Sequence, residues 1–160
     1  MNKNLGGLTV TTPTDREIVM KRSFNASRTL VFEAITKPDL VRKWLLGPDG
    51  WTMIVCEIDL RVGGAYRYEW RHSEGMEMGM GGNYREVVRP ERLVTTEKFD
   101  QSWYPGEAVG TLTLEEEGGR TQLTLTILYD NKEARDVVLK SPMDEGVAAG
   151  YDRLEKLLAG

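Results

Sequence analysis

Hydrophobic and polar positions along the chain change period several times, and each change predicts an element. Residues 17–24 are rich in β-branched and apolar side chains and read as a strand. Asn25-Ala26-Ser27 then supplies an N-cap, and Leu30, Val31, Ala34 and Ile35 mark one face of a short helix. A second helix restarts at Thr36-Lys37-Pro38-Asp39, with Pro38 in its first turn and Asp39 near the positive end of its dipole. Leu40, Val41, Trp44 and Leu45 form its stripe, and Gly47-Pro48-Asp49-Gly50 stops it. From there the period falls to two. Residues 51–60 run into a Gly63-Gly64 turn and return as 65–72, where Tyr66, Tyr68, Trp70 and His72 share one face and Arg67, Glu69 and Arg71 the other. Further strands follow over 78–88, 93–99, 109–115 and 122–129, the last two joined by Gly118-Gly119. Residues 132–139 read as a short helix. Ser141-Pro142-Met143-Asp144 then reads as N-cap, proline at N1 and an acidic N3 for a long C-terminal helix, whose stripe is Met143, Val147, Tyr151, Leu154 and Leu158.

Strands that alternate cleanly have one wet face and one buried face, and short turns make them antiparallel neighbours. The one-sided sheet can bury its face only against the helices. The expectation is an α+β, helix-grip fold of order β-α-α-β6-α: a curved antiparallel sheet around a long C-terminal helix. Residues 15–160 form a single domain in this reading. Residues 1–14, polar and ending in Thr11-Thr12-Pro13-Thr14, are expected to be a flexible arm, with an edge strand lent to a partner as the alternative.

The formal net charge of -4, with no dense Lys/Arg cluster, argues against a nucleic-acid binder. Cys56 is the sole cysteine, so neither an internal disulfide nor a cysteine zinc site can form. It alternates with Ile54 and Ile58 and reads as a small buried hydrophobe. The start of the chain has no apolar run suited to a signal peptide, and no stretch approaches the roughly 20 apolar residues of a membrane helix. The expected location is cytoplasmic, with no membrane insertion. A homodimer through an exposed edge strand or the arm stays open.

Candidate chemistry centres on one face of the sheet. Tyr66, Tyr68 and Trp70 on one strand and Met78, Met80 and Tyr84 on the next fall on matching faces, and Trp44, Met53, Phe99 and Trp103 can reach the same space. Opposite them lies the Met143, Val147, Tyr151 stripe. Gly146 and Gly150 interrupt that helix at about 1 kcal/mol each relative to alanine, which suggests that a side chain there would intrude on the sheet or on a ligand. These aromatics either pack as a solid core or line a cavity, and periodicity alone does not choose. Arg22, His72 and Glu86 share parity with inward positions and are the candidate polar anchors. Met76-x-Met78-x-Met80 has the spacing of a soft-metal site on a strand, but methionine as a flexible filler at a pocket mouth is the stronger reading. One histidine cannot make a histidine pair for zinc, so no metal is expected. No nucleophile elbow, phosphate loop, dinucleotide fingerprint or HExxH motif is present, so no catalytic residue is assigned and no cofactor is expected.

Several segments together resemble a known family. Arg22-Ser23-Phe24-Asn25-Ala26, Val31-Phe32-Glu33-Ala34, Lys43-Trp44, Gly47-Pro48, Asp59-Leu60-Arg61-Val62-Gly63-Gly64, Gly82-Asn83-Tyr84-Arg85-Glu86-Val87 and Pro90-Glu91-Arg92-Leu93 occur in that order, followed by the helical ending. In order and spacing they are similar to the activator of heat-shock-protein-90 ATPase homologue family of the START/SRPBCC superfamily, over about residue 16 to the end. The resemblance implies a START/Bet v 1-like helix-grip fold, a cavity suited to a hydrophobic small molecule and, through the family's name, a link to the stress response. It does not fix function, since the superfamily hosts carriers, cyclases, receptors and co-chaperones. Members that activate the chaperone carry a separate N-terminal domain where this sequence has the short arm, so chaperone contact is not expected. The leading expectation is a non-catalytic binding domain for a hydrophobic or aromatic small molecule. The alternatives are a cyclase- or hydrolase-like enzyme using His72, Glu86 or Tyr84, and an interaction module stimulating a chaperone ATPase.

Overall fold

The computed structural model describes residues 2–101 and 103–160. Nine antiparallel strands form one sheet in the order β1-β2-β3-β9-β8-β7-β6-β5-β4. They are β1 (Asn2–Leu5), β2 (Leu8–Thr11), β3 (Glu17–Phe24), β4 (Trp51–Ile58), β5 (Ala65–His72), β6 (Glu77–Val88), β7 (Arg92–Phe99), β8 (Ala108–Glu117) and β9 (Arg120–Leu128). Among the described residues there are four helices: α1 (Arg28–Thr36), α2 (Pro38–Trp44), α3 (Lys132–Leu139) and α4 (Met143–Ala159). Strands β4 to β9 follow one another as a meander. The step from β3 to β4 instead carries the chain across the sheet, because β3 pairs with β9 while β4 lies at the far edge. Helices α1 and α2 make that crossing and pack beneath α4. This is the helix-grip architecture.

The N-terminal segment differs from the expected loose arm. Met1 lies outside the described residues, but residues 2–11 form a hairpin that adds two strands beside β3. Gly6 and Gly7 both take positive φ, as a two-residue hairpin turn requires. Leu8 and Val10 alternate into the core and are 0 % and 2 % exposed. The Lys3 ammonium meets the Asp144 carboxylate at 2.8 Å, tying the hairpin to the start of α4. Two buried residues on a four-residue strand are enough to anchor it once β3 offers an open edge.

The helices start where their caps say. Ser27 Oγ accepts from the Leu30 amide at 3.3 Å, and Pro38 opens α2 with Asp39 in its first turn and Arg42 and Lys43 in its last. Leu30 itself is exposed, contrary to its expected place on the stripe. At 100° per residue the buried arc of Val31, Phe32, Ala34, Ile35 and Thr36 centres near Ile35, and Leu30 falls well outside it. Helix α4 begins one residue later than its expected cap: Pro142 holds the cap position, while Ser141 Oγ donates to Val138 O at 2.5 Å. The core gathers Ile18, Met20, Phe24, Val31, Leu123, Tyr151 and Leu154 between sheet and helices. A smaller cluster of Val41, Met53, Cys56 and Trp70 lies under α2.

Candidate functional site

The sheet and α4 do not close on each other completely. A cavity of about 330 Å³ lies between them, within the range of small-molecule sites. Strand alternation builds its walls. β5 contributes Tyr66, Tyr68 and Trp70, and β6 contributes Met78, Met80 and Tyr84. β7 sends in Leu93, Thr95, Glu97 and Phe99, every second residue of the strand. Leu112, Leu125, Ile127 and Tyr129 form the floor, and Met143, Val147 and Tyr151 of α4 face them. Trp44 and the Leu45–Pro48 turn close one end, and Trp103 and Tyr104 the other. Met78 and Trp103, 37 % and 38 % exposed, stand at the opening.

Polar contacts hold these apolar walls in place. Trp70 Nε1 donates to Leu45 O at 2.7 Å, and Trp44 Nε1 donates to Ala34 O at 2.9 Å. The turn after α2 is thereby pinned to both β5 and α1. Arg153 Nη1 donates to Gly47 O at 2.7 Å and fixes the same turn to α4. The Tyr66 hydroxyl donates to Thr96 O at 2.6 Å, so its ring stands fixed against Tyr68 and Tyr84 at centroid distances of 5.2 and 5.6 Å. The helical glycines also have a reason. A Cβ on Gly150 would sit 3.3 Å from Trp44 O, and one on Gly146 would sit 3.7 Å from Pro48 Cδ. Gly150 thus lets the end of α2 approach α4, a Cβ on Gly146 would make ordinary contact with the turn, and both glycines also line the cavity.

Of the residues expected to form the site, the structure brings together Trp44, Tyr66, Tyr68, Trp70, Met78, Met80, Tyr84, Phe99, Trp103, Met143, Val147 and Tyr151. Met53 is not among them. Met53 pairs with Trp70 but packs with Val41 in the cluster beneath α2, and the register shift between Met53 and Val55 brings Cys56 onto the same face. The three expected polar anchors also lie elsewhere. Arg22 points inward but runs under α4, where its guanidinium meets Asp152 at 2.7 Å and Glu155 at 3.0 Å and lies 5.5 Å from the Phe24 ring centroid. His72 ends β5 near the sheet edge, with its ring against Trp51 at 5.1 Å and its Nδ1 accepting from the Glu74 amide at 3.1 Å. Glu86 is exposed and pairs with Arg92 at 3.1 Å. A second register shift, between Tyr84 and Glu86, reverses the parity of β6, so Tyr84 faces in and Glu86 faces out. Of the methionine run, Met78 and Met80 face the cavity while Met76 precedes β6 and is exposed.

The polar group that does face the cavity is Glu97. It is the one Asp, Glu, Lys, Arg or His side chain in the lining, and among the described residues it has no cation within ion-pair distance. Burial pushes its carboxyl up to about 7. Burial also raises the phenols of Tyr66, Tyr104 and Tyr129, which line the same cavity, and the Glu97 charge raises each further. Sequence reasoning passed over it, although Glu97 shares parity with Leu93 and Phe99. The signal was a charged residue in phase with an apolar stripe. Desolvation likewise raises Tyr84 to about 12, so the lining phenols stay neutral at physiological pH. Among the described residues, no group of three His, Cys, Asp or Glu side chains is placed to hold a metal ion, and no helix is long and apolar enough to cross a membrane.

The fold recurs in solved structures. A Rhodobacter sphaeroides protein is 30% identical with a TM-score of 0.90, the match covering 96% of this chain and 98% of that one. A Chromobacterium violaceum protein is 28% identical with a TM-score of 0.77, covering 92% and 99%. The AHSA1 protein of Silicibacter pomeroyi, 18% identical with a TM-score of 0.72 over 89% and 97%, shares the fold. No curated protein matches the sequence. Residues 25–159 match the family described as Activator of Hsp90 ATPase homolog 1-like protein, and the chain belongs to that family.

Proposed function

We propose that this protein binds a hydrophobic or aromatic small molecule between its sheet and α4 and releases it unchanged. The observation that supports this reading is the apolar cavity of about 330 Å³, walled by fixed aromatic side chains and opening past Met78 and Trp103. The enzyme alternative loses two of its three groups, because His72 and Glu86 lie outside the cavity and only Tyr84 lines it. The family description names activation of a chaperone ATPase; that activity is the reading to be tested against ligand binding. A buried, unpaired Cys56 suits a reducing, intracellular setting.

The test is a titration of tryptophan fluorescence against a library of lipids and aromatic metabolites, since Trp44, Trp51, Trp70 and Trp103 all line the cavity. Hits should be recovered chemically intact, and Val147→Phe, which puts bulk into the cavity, should weaken them at least about tenfold. Equal binding to Val147→Phe would place the ligand elsewhere and defeat the proposal. Stimulation of an Hsp90-type ATPase, with no library hit, would favour the co-chaperone reading instead.

A further inference from the structure

Resting on that pocket reading, we propose that the ligand is a lipophilic amine, with its apolar body along the cavity and its protonated nitrogen against Glu97. Three observations carry this. Strand β7 alternates Leu93, Thr95, Glu97 and Phe99 into the cavity, so the carboxylate is a built part of the wall rather than a stray surface group. Among the described residues, no Lys, Arg or His lines the cavity to neutralise it. Tyr66, Tyr104 and Tyr129 line the same cavity, where Tyr104 stands edge to face with Tyr129 at 5.4 Å. A carboxylate within aromatic faces is the chemistry that receives an ammonium group: the carboxylate supplies the countercharge and the rings supply cation–π attraction. An anionic ligand would meet like charge there. A neutral alcohol would leave the carboxylate uncompensated in an apolar site.

The titratable groups that line the cavity with Glu97 fix how binding responds to pH. They are Tyr66 and Tyr68 from β5, Tyr84 from β6, Tyr104 from the β7–β8 loop, Tyr129 after β9 and Tyr151 from α4, with Glu107 acting on Tyr104 from outside the lining. The phenols are held neutral by burial, so Glu97 is the group that titrates near neutrality. A primary amine stays protonated throughout that range. Binding it draws Glu97 to the carboxylate and releases a proton, so affinity rises from about pH 6 to about pH 8.

Three probes share one body and differ in charge: 6-phenylhexylamine, 6-phenylhexan-1-ol and 6-phenylhexanoate. Their binding to the full-length protein and to Glu97→Gln is measured by titration calorimetry at both pH values. In the wild type at the higher pH the amine should bind about tenfold or more tightly than the alcohol, and the hexanoate most weakly. The amine's advantage should shrink at the lower pH and vanish in Glu97→Gln, while the alcohol binds Glu97→Gln at least as tightly as the wild type. Equal or tighter binding of the alcohol at the higher pH would overturn the amine proposal and leave the pocket standing. An amine preference that persists in Glu97→Gln, or does not change with pH in the wild type, would also overturn it. Failure of all three probes to bind would overturn both readings.

Discussion

Replacing Glu97 by glutamine removes the one carboxyl that lines the cavity among the described residues, and its effect on stability should depend on pH. In the unfolded chain the carboxyl titrates near its ordinary value of 4.5; in the folded protein burial raises it to about 7. Below the lower value both states are protonated and Glu97 contributes nothing. Between the two values the unfolded chain gives up its proton while the folded protein keeps it. The unfolded state then binds fewer protons, so stability falls as pH rises, and the loss is complete above about 7. This is the reverse of the common salt-bridged carboxylate. At about 1.4 kcal/mol per pH unit the full penalty is about 3 kcal/mol, and water entering past Met78 and Trp103 should reduce it to about 2 kcal/mol. For a domain of this size that corresponds to about 4–8 °C in Tm. Thermal unfolding of both proteins should be followed by calorimetry from about pH 4 to about pH 8. Differences arising from every other carboxylate cancel in the comparison. The Tm advantage of Glu97→Gln should grow by the stated amount with rising pH and then level off. A Tm difference that stays flat, or that moves in favour of the wild type, would refute the reasoning.

Other substitutions probe the remaining parts of the argument. Leu8→Ala should cost about 2–4 kcal/mol in denaturant unfolding if the N-terminal hairpin is part of the core; a loss under about 0.5 kcal/mol would mean a dispensable arm. Gly150→Ala should be close to neutral, since helix propensity offsets a 3.3 Å contact with Trp44 O, whereas Gly150→Val should cost about 1–3 kcal/mol as α2 is pushed from α4. The Arg22 ion pairs are asymmetric, because the guanidinium is buried and both carboxylates are more than half exposed. The double change Asp152→Asn with Glu155→Gln should therefore destabilise more than Arg22→Met, which lets the carboxylates return to water; the opposite ranking in urea titrations would count against a buried uncompensated charge. Burial raises the Cys56 thiol, so a thiol reagent should label native protein far more slowly than unfolded protein, and comparable rates would show that the cluster under α2 opens readily.

The meander from β4 to β9 was legible because its strands alternate over eight to twelve residues, long enough for period two to stand out. The hairpin of β1 and β2 was not. Each strand is four residues long, and Leu5, Leu8 and Val10 supply only three apolar positions to a pattern otherwise made of Asn, Lys and Thr. Most of the cavity wall followed from the same alternation as the sheet. The exceptions have two physical causes. Glu86 was misplaced because it follows a β-bulge, and a single extra residue inverts every assignment beyond it, whereas Met53 is on the expected face, opposite Trp70, but packs beneath α2 at the sheet edge. Arg22 was read correctly as inward but not as capped by α4, since Asp152 and Glu155 approach it only through tertiary packing. Glu97 was overlooked although its parity with Leu93 and Phe99 was right, because only the apolar and aromatic residues of that stripe were read as cavity wall.

The bulge in β6 gives the strand two faces in succession, and the changeover falls at Arg85. Deleting that one residue would restore an unbroken ladder, because Tyr84 already pairs with Thr95 and Glu86 with the adjacent Val94. Tyr84 and Val87 would keep facing the core and Glu86 would stay outside, so the loss of a single codon would leave the inward face of β6 intact while removing the local bend of the strand. Within this fold, the bulge sets the course of β6 rather than the choice of residues it sends inward.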